Sequence, residues 1–215
     1  MMIFSEISFI EILDLLGTFA FAISGFRLAS GKHIDWFGAY VIGLVTAIGG
    51  GTIRDLLLGI RPFWMLNASY LLTTGVALLS VILFKAKLLR LGHTLFIFDT
   101  VGLGLFTTVG IAKSFNAGLP FWVCIMMGAI TGTAGGVIRD VLINEVPLLF
   151  RKDIYALACI AGGLVFFLCY KFDFLVPVVE VLAALTVIII RVIAVKFHIQ
   201  LPLLNLDNSK KDNEV

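Results

Sequence analysis

Two stretches set a glycine cluster beside an arginine–aspartate pair. The first is Ala47-Ile48-Gly49-Gly50-Gly51-Thr52-Ile53-Arg54-Asp55, followed by Pro62; the second is Ala134-Gly135-Gly136-Val137-Ile138-Arg139-Asp140, followed by Pro147. Gly50 and Gly135, Arg54 and Arg139, Asp55 and Asp140, and Pro62 and Pro147 are each separated by 85 positions. Charged residues inside apolar sequence face a partner, a cavity or an ion path, because lipid does not solvate them. Covalent chemistry would need other groups. Cys124, Cys159 and Cys169 are scattered, and His33, His93 and His198 are isolated, so no metal spacing is present. Gly49-Gly50-Gly51-Thr52 lacks the lysine of a phosphate-binding loop, and there is no HExxH or Ser/His/Asp set. The chain is read as a non-enzyme without cofactor or fixed metal. No basic run interleaved with aromatics points to nucleic acid.

The elements that must position these residues are membrane helices. The chain is 60% hydrophobic and 14% charged, with a mean hydropathy of +1.07. That leaves too little polar residue to cover a soluble surface. About 20 apolar residues cross the hydrocarbon core as a helix. Seven segments qualify, at about 7–29, 35–58, 66–84, 93–112, 119–142, 154–170 and 174–196. Glu6 and Glu11 stand where a cleaved leader carries positive charge, so the first segment is expected to remain as a span. A polar tail over 205–215 is expected to be disordered; residues 1–204 form a single transmembrane domain.

The shift of 85 extends beyond the motif. Asp14 maps to Asp99, Gly17 to Gly102, Phe21 to Phe106, Gly43 to Gly128, Thr46 to Thr131 and Tyr70 to Tyr155. Two repeats, about 7–84 and 93–170, thus hold three spans each, and the helix at 174–196 stands outside them. Three is odd, so the second repeat enters from the opposite side: the fold class is all-α, with two inverted three-helix repeats plus a seventh transmembrane helix. Four of the 16 Lys and Arg residues (Arg54, Arg61, Lys113 and Lys171) fall on one side and the other twelve on the opposite side. This places the N-terminus outside and the C-terminus in the cytoplasm.

Within the second span, Ala39, Gly43, Ala47 and Gly51 recur every four residues, a packing stripe. Three glycines in a row point around the helix, so one packing face does not use them all. Each costs roughly 1 kcal/mol against alanine, and the expected outcome is a kinked or broken helix at Gly49, Gly50 and Gly51, and again at Gly135 and Gly136. Arg54 and Arg139 have four open readings: snorkelling at a helix end, pairing with Asp14 and Asp99 respectively, facing a pore as gating charges together with Asp14, Asp55, Asp99 and Asp140, or holding an anionic lipid head group. Asp55 and Asp140, one residue from their arginines, are not expected to share a face with them. Thr46, Thr52 and Thr131 are candidate pore-lining hydroxyls. Trp36, Trp64, Trp122 and Tyr70 near span ends read as interfacial residues.

Seven spans, the doubled repeat and GGGTIRD with its echo AGGVIRD resemble the trimeric intracellular cation channel family, whose bacterial members are also described as glycine-transporter-like. The resemblance covers the chain from about Phe9 to Ile199. It implies a homotrimer in a bacterial or archaeal plasma membrane, with one pore per protomer lined by the second and fifth spans. It implies permeation of K⁺ and Na⁺. Gly49, Gly50, Gly51, Gly135 and Gly136 would be kinks, and Arg54, Asp55, Arg139 and Asp140 the charged motif positions. The second copy departs from the first at Ala134, which stands where the first has Gly49. An arginine beside an aspartate also suits a zwitterion, so a secondary transporter of a small molecule such as glycine is the alternative.

Overall fold

The computed structural model describes residues 8–32, 34–84, 93–151 and 154–200. Helix α1 runs over Phe9–Ala29, α2 over Trp36–Leu57, and a single turn, α3, over Phe63–Leu66. Helix α4 covers Ser69–Leu83, α5 Thr94–Asn116 and α6 Phe121–Leu142. A 3₁₀ turn at Leu148–Phe150 precedes α7 (Ala156–Lys171) and α8 (Val176–Lys196). The expected tail at 205–215 lies outside the described residues.

Local sequence explains where these helices begin and end. The Ser8 hydroxyl accepts the Glu11 N–H at 3.4 Å, and the Glu11 carboxylate accepts the Ser8 N–H at 3.0 Å, a capping box at the start of α1. The Asp35 carboxylate accepts the Gly38 N–H at 2.7 Å and caps α2. Helices α2 and α6 stop in the same way. Gly59 (φ +70°) and Asn144 (φ +57°) turn the chain left-handed, and the next residue's N–H returns to the Asp55 or Asp140 carbonyl at 2.9 and 2.8 Å. Glycine and asparagine are the residues that tolerate that turn.

Five helices (α1, α2, α5, α6 and α8) are long and apolar enough to cross a membrane; α4 and α7, with 15 and 16 residues, are shorter. At 1.5 Å per residue they reach roughly 22–24 Å, short of a hydrocarbon core of about 30 Å. The expectation of seven full-length spans is corrected to this extent. In each repeat the chain after the proline makes its own turn before the third helix starts, and the buried Phe63 packs inward instead of extending α4.

The packing is inverted relative to a soluble protein. Leu72, Leu79, Leu164, Leu168 and Ile189 point outward, while Asp14, Arg54, Asp55, Asp99, Arg139 and Asp140 are buried. At the centre, Gly17 of α1 takes the Phe106 ring of α5, and Gly102 of α5 takes the Phe21 ring of α1. The two rings meet edge to face at 5.1 Å. Residues 17 and 21 pair with 106 and 102, so α1 and α5 run antiparallel. Likewise a Cβ on Gly50 would run into the Thr131 carbonyl, and a Cβ on Gly135 into the Thr46 carbonyl. Helices α2 and α6 are therefore also antiparallel, in backbone contact at their crossing. Each contact in one repeat is exchanged for its counterpart in the other, the mark of an approximate two-fold relation.

Candidate ion-conduction site

The glycine runs do not break their helices. Both α2 and α6 continue through them. Each glycine is used by a different neighbour: Gly49 faces Ile138, Gly50 the Thr131 carbonyl and Gly51 the Phe63 ring. A helix packed on one face would leave two of the three glycines unused, whereas α2 is surrounded on several sides. Thr46, Thr52 and Thr131 bond back to the carbonyls of Ile42, Ile48 and Met127 at 2.6, 2.7 and 2.6 Å. Thr46 and Thr131 are buried at the crossing, and Thr52 also accepts the Trp64 indole N–H at 3.0 Å.

The helix crossing is centred near residues 48 and 133, midway between the contacting pairs. Arg54 and Arg139 each lie six residues beyond it, in opposite directions. At 1.5 Å per residue each stands roughly 9 Å from the crossing. Two charged cages follow, one on either side.

The cage around Arg139 joins four helices. Arg139 Nη1 donates to Asp99 Oδ1 of α5 at 2.7 Å and to the Ser24 hydroxyl of α1 at 3.0 Å. Its Nε donates to Asp140 Oδ1 at 2.8 Å. The Tyr155 hydroxyl, Arg139 Nη2 and Asp99 Oδ1 lie 3.0, 3.6 and 3.7 Å from where a Gly136 side chain would begin. Among the described residues Tyr155 Oη, Asp99 Oδ2 and Arg139 Nη2 have no hydrogen-bond partner. Gly136 thus lets the α6 backbone lie close against these uncommitted polar atoms.

The cage around Arg54 is built differently. Arg54 Nε donates to Asp55 Oδ1 at 2.8 Å; Nη2 comes within 2.7 Å of the same oxygen but is not aligned for a hydrogen bond. Asp14 takes Lys113 Nζ of α5 at 2.7 Å and the Tyr70 hydroxyl at 3.3 Å. No ion pair between Arg54 and Asp14 occurs among the described residues, which corrects half of the expected pairing. The repeat itself supplies the reason. Ser24, which helps hold Arg139, is matched by Val109, which has no acceptor for Arg54. Lys113 is matched by Leu28, so only Asp14 has a lysine within reach. Phe63 fills the space at Gly51 and lies under both cations, 5.5 Å from Arg54 and 5.3 Å from Lys113.

Asp55 and Asp140 correct a second expectation. Adjacent positions point about 100° apart on a helix, but the arginine side chain is long enough to fold back. Each aspartate has a further task with its other oxygen. Asp55 Oδ2 accepts the Phe63 N–H at 2.8 Å and Asp140 Oδ2 the Leu148 N–H at 3.0 Å. The Arg-Asp pair therefore clamps the turn that follows Pro62 or Pro147, which accounts for the constant distance of the prolines. Tyr70, read as interfacial, is buried with its hydroxyl on Asp14, whereas Trp36 and Trp122 are exposed. Lys113, Tyr155, Phe63 and the role of Ser24 were missed; the match of Tyr70 to Tyr155 was the available signal for the tyrosines.

Comparison with known proteins agrees with this duplicated layout. The glycine transporter family profile matches residues 11–86 and again 96–171, the same shift of 85. The chain belongs to this family. An inner membrane protein of Escherichia coli K12, UPF0126 protein YadS, is 40% identical over 201 residues, covering 92% of this chain and 97% of the relative. A solved structure of a TRIC cation channel superposes with a TM-score of 0.81 at 32% identity, over 96% of this chain and 99% of that one. The trimeric intracellular cation channel orthologue from Rhodobacter sphaeroides gives a TM-score of 0.81 at 30% identity, over 88% and 98% of the two chains. The solved structures that this family member resembles are channels, not enzymes.

Proposed function

We propose that the chain is a passive cation channel, permeable to K⁺ and Na⁺, that works as a homotrimer with a path through each protomer. The supporting observation is the treatment of the two arginines. An unpaired arginine repels a permeant cation by about 4 kcal/mol at 4 Å and an effective dielectric near 20. Here the guanidiniums of Arg54 and Arg139 are each held by carboxylate. The cage around Arg139, the inner one with the N-terminus outside, formally has Asp99 and Asp140 against Arg139, an excess of one negative charge, and holds uncommitted oxygens on Asp99 and Tyr155. The outer cage balances Asp14 and Asp55 against Arg54 and Lys113. The path runs from one cage to the other past the crossing of α2 and α6. Backbone contact there makes this a closed form, and opening separates the two helices at Gly50 and Gly135, whether by bending at the glycines or by sliding.

In this reading α4 and α7 complete seven spans. Residues 1–204 are one membrane domain, made of the repeats 7–84 and 93–170 and the helix at 174–196. The N-terminus is outside and the C-terminus cytoplasmic, on the distribution of Lys and Arg. Lipid and other copies of the chain are its partners, with no cofactor and no reaction. The similarity to TRIC cation channels supports trimer and cation alike.

A second reading, a transporter of glycine, is favoured by the description of the matched family and by the outer cage. There Arg54 Nη1 and Asp14 Oδ1 are both without hydrogen-bond partners, a donor and an acceptor suited to a zwitterion. Planar-bilayer recording under a K⁺ gradient separates the two. Discrete cation-selective openings, reduced by Asp99→Asn and by Gly136→Ala, are expected. A silent bilayer combined with saturable glycine uptake into liposomes overturns the channel in favour of the transporter.

A further inference from the structure

Among the described residues three arginines are almost wholly buried: Arg54, Arg139 and Arg191. The first two hold carboxylates. Among the described residues Arg191 holds none. It is 1% exposed, on the last turns of α8. Its Nη1 donates to the Ile154 carbonyl at 3.2 Å, and its guanidinium stacks on Tyr155 at 4.7 Å and Phe96 at 5.4 Å. Its Nε has no partner. Among the described residues a carbonyl and two ring faces are all that meet this guanidinium, with no counter-ion, and a buried charge without one is strongly unfavourable.

Arg191 also lines a cavity of about 250 Å³ between the start of α5, the turn at Leu148 and the end of α8. The exposed His93 and His198 stand at its rim, and Leu95, Phe96 and Ile199 form apolar walls. We propose that this cavity is a binding site for a phosphate oxyanion. The Arg191 guanidinium, which carries donors in a planar fork suited to phosphate, forms its floor, and the two imidazoles donate from the rim. The phosphate is either that of an acidic phospholipid, whose glycerol end would lie on the apolar walls, or free inorganic phosphate. The site is separate from the two cages but touches one of them: Tyr155 carries Arg191 on its ring while its hydroxyl faces Arg139 and Asp99.

The test reads binding, so it does not depend on whether the protein conducts. The melting temperature of the whole protein is measured in phosphatidylcholine nanodiscs, alone, with added phosphatidylglycerol and with inorganic phosphate. A saturable rise with phosphatidylglycerol alone assigns the lipid; a rise with inorganic phosphate as well assigns the free anion. His93→Ala/His198→Ala, at exposed positions, is expected to keep the baseline melting temperature and weaken the half-saturating concentration several-fold. Arg191→Met is expected to abolish the response, and Arg191→Lys to retain part of it. The proposal is overturned if wild type responds to neither anion, or if both the histidine variant and Arg191→Met respond as wild type does. It is also overturned if Asp153→Asn creates an anion response that wild type lacks, because Asp153 would then be the counter-ion.

Discussion

Arg139 Nη1 lies 2.7 Å from Asp99 Oδ1, both side chains buried, and this bond ties α6 to α5 inside the apolar core. The same guanidinium reaches Ser24 on α1 and Asp140 on its own helix. Three helices thus share one cation, and the adjacent Tyr155 brings in the start of α7. Among the described residues its repeat counterpart, Arg54, has only Asp55 as a side-chain hydrogen-bond partner. The two halves of the protein are alike in backbone and unlike in charge.

Breaking the inner pair is expected to be costly. Arg139→Met leaves the buried carboxylates of Asp99 and Asp140 without their cation, a loss of roughly 3–5 kcal/mol, whereas Asp99→Asn leaves Arg139 paired with Asp140 and is expected to cost less. The double substitution is expected to recover a substantial part of the Arg139→Met loss. A double-mutant cycle on detergent-solubilised protein, read by thermal or denaturant unfolding, measures this coupling. Strict additivity of the two losses would show that the pair is not coupled.

The difference between the cages can be traded. Ser24→Val gives the cage around Arg139 the residue found at the matching position of the other repeat, Val109. It is expected to remove one hydrogen bond to a charged group, about 1.5–3 kcal/mol. Lys113→Met is expected to cost less than Arg139→Met, because the lysine side chain is 25% exposed and water screens it. Equal losses at Lys113 and Arg139 would contradict this ranking.

The crossing of α2 and α6 predicts a contrast among glycines. A Cβ at Gly50 or Gly135 meets a backbone carbonyl, which does not swing away as a side chain does. Gly50→Ala and Gly135→Ala are expected to destabilise by about 1–3 kcal/mol, in the range of overpacking. Gly75, in the middle of α4, has open space around its Cβ position. Gly75→Ala is expected to stabilise by up to about 1 kcal/mol. Melting temperatures of the three variants check the ordering.

At the ends of α1 and α6, Lys32 Nζ and Glu145 Oε1 form an ion pair of 2.7 Å. The hydrogen bond from Lys32, followed by its charge, holds the Glu145 carboxyl below its ordinary value. A lowered folded-state pKa means that the stabilisation is complete above the unfolded-state value, about 4.3. It is lost as the pH falls through the lowered value. Wild type is expected to melt slightly above Glu145→Gln at neutral pH, with the difference vanishing in acid. A difference that instead grows in acid would reverse the sign of this linkage.

Much of this architecture was legible in the residues alone. The duplication could be read because Gly, Arg, Asp and Pro recur at one spacing, and apolar length predicts which segments are helices in lipid. Three spans per repeat predict an inverted pair, and the observed antiparallel crossings of α1 with α5 and α2 with α6 agree. What only the tertiary structure decided is which group each charge meets. Asp14 selects Lys113 over Arg54 because α5 crosses α1 at a position where the other repeat carries Leu28. Gly51 receives the Phe63 ring while Gly136 faces the Tyr155 hydroxyl, although the two glycines are equivalent in the repeat. Contacts between helices depend on which faces come together and at what height, and spacing within a single helix contains neither. For the same reason the glycine runs look like breaks in one dimension, and in three they are places where several neighbours approach one unbroken helix.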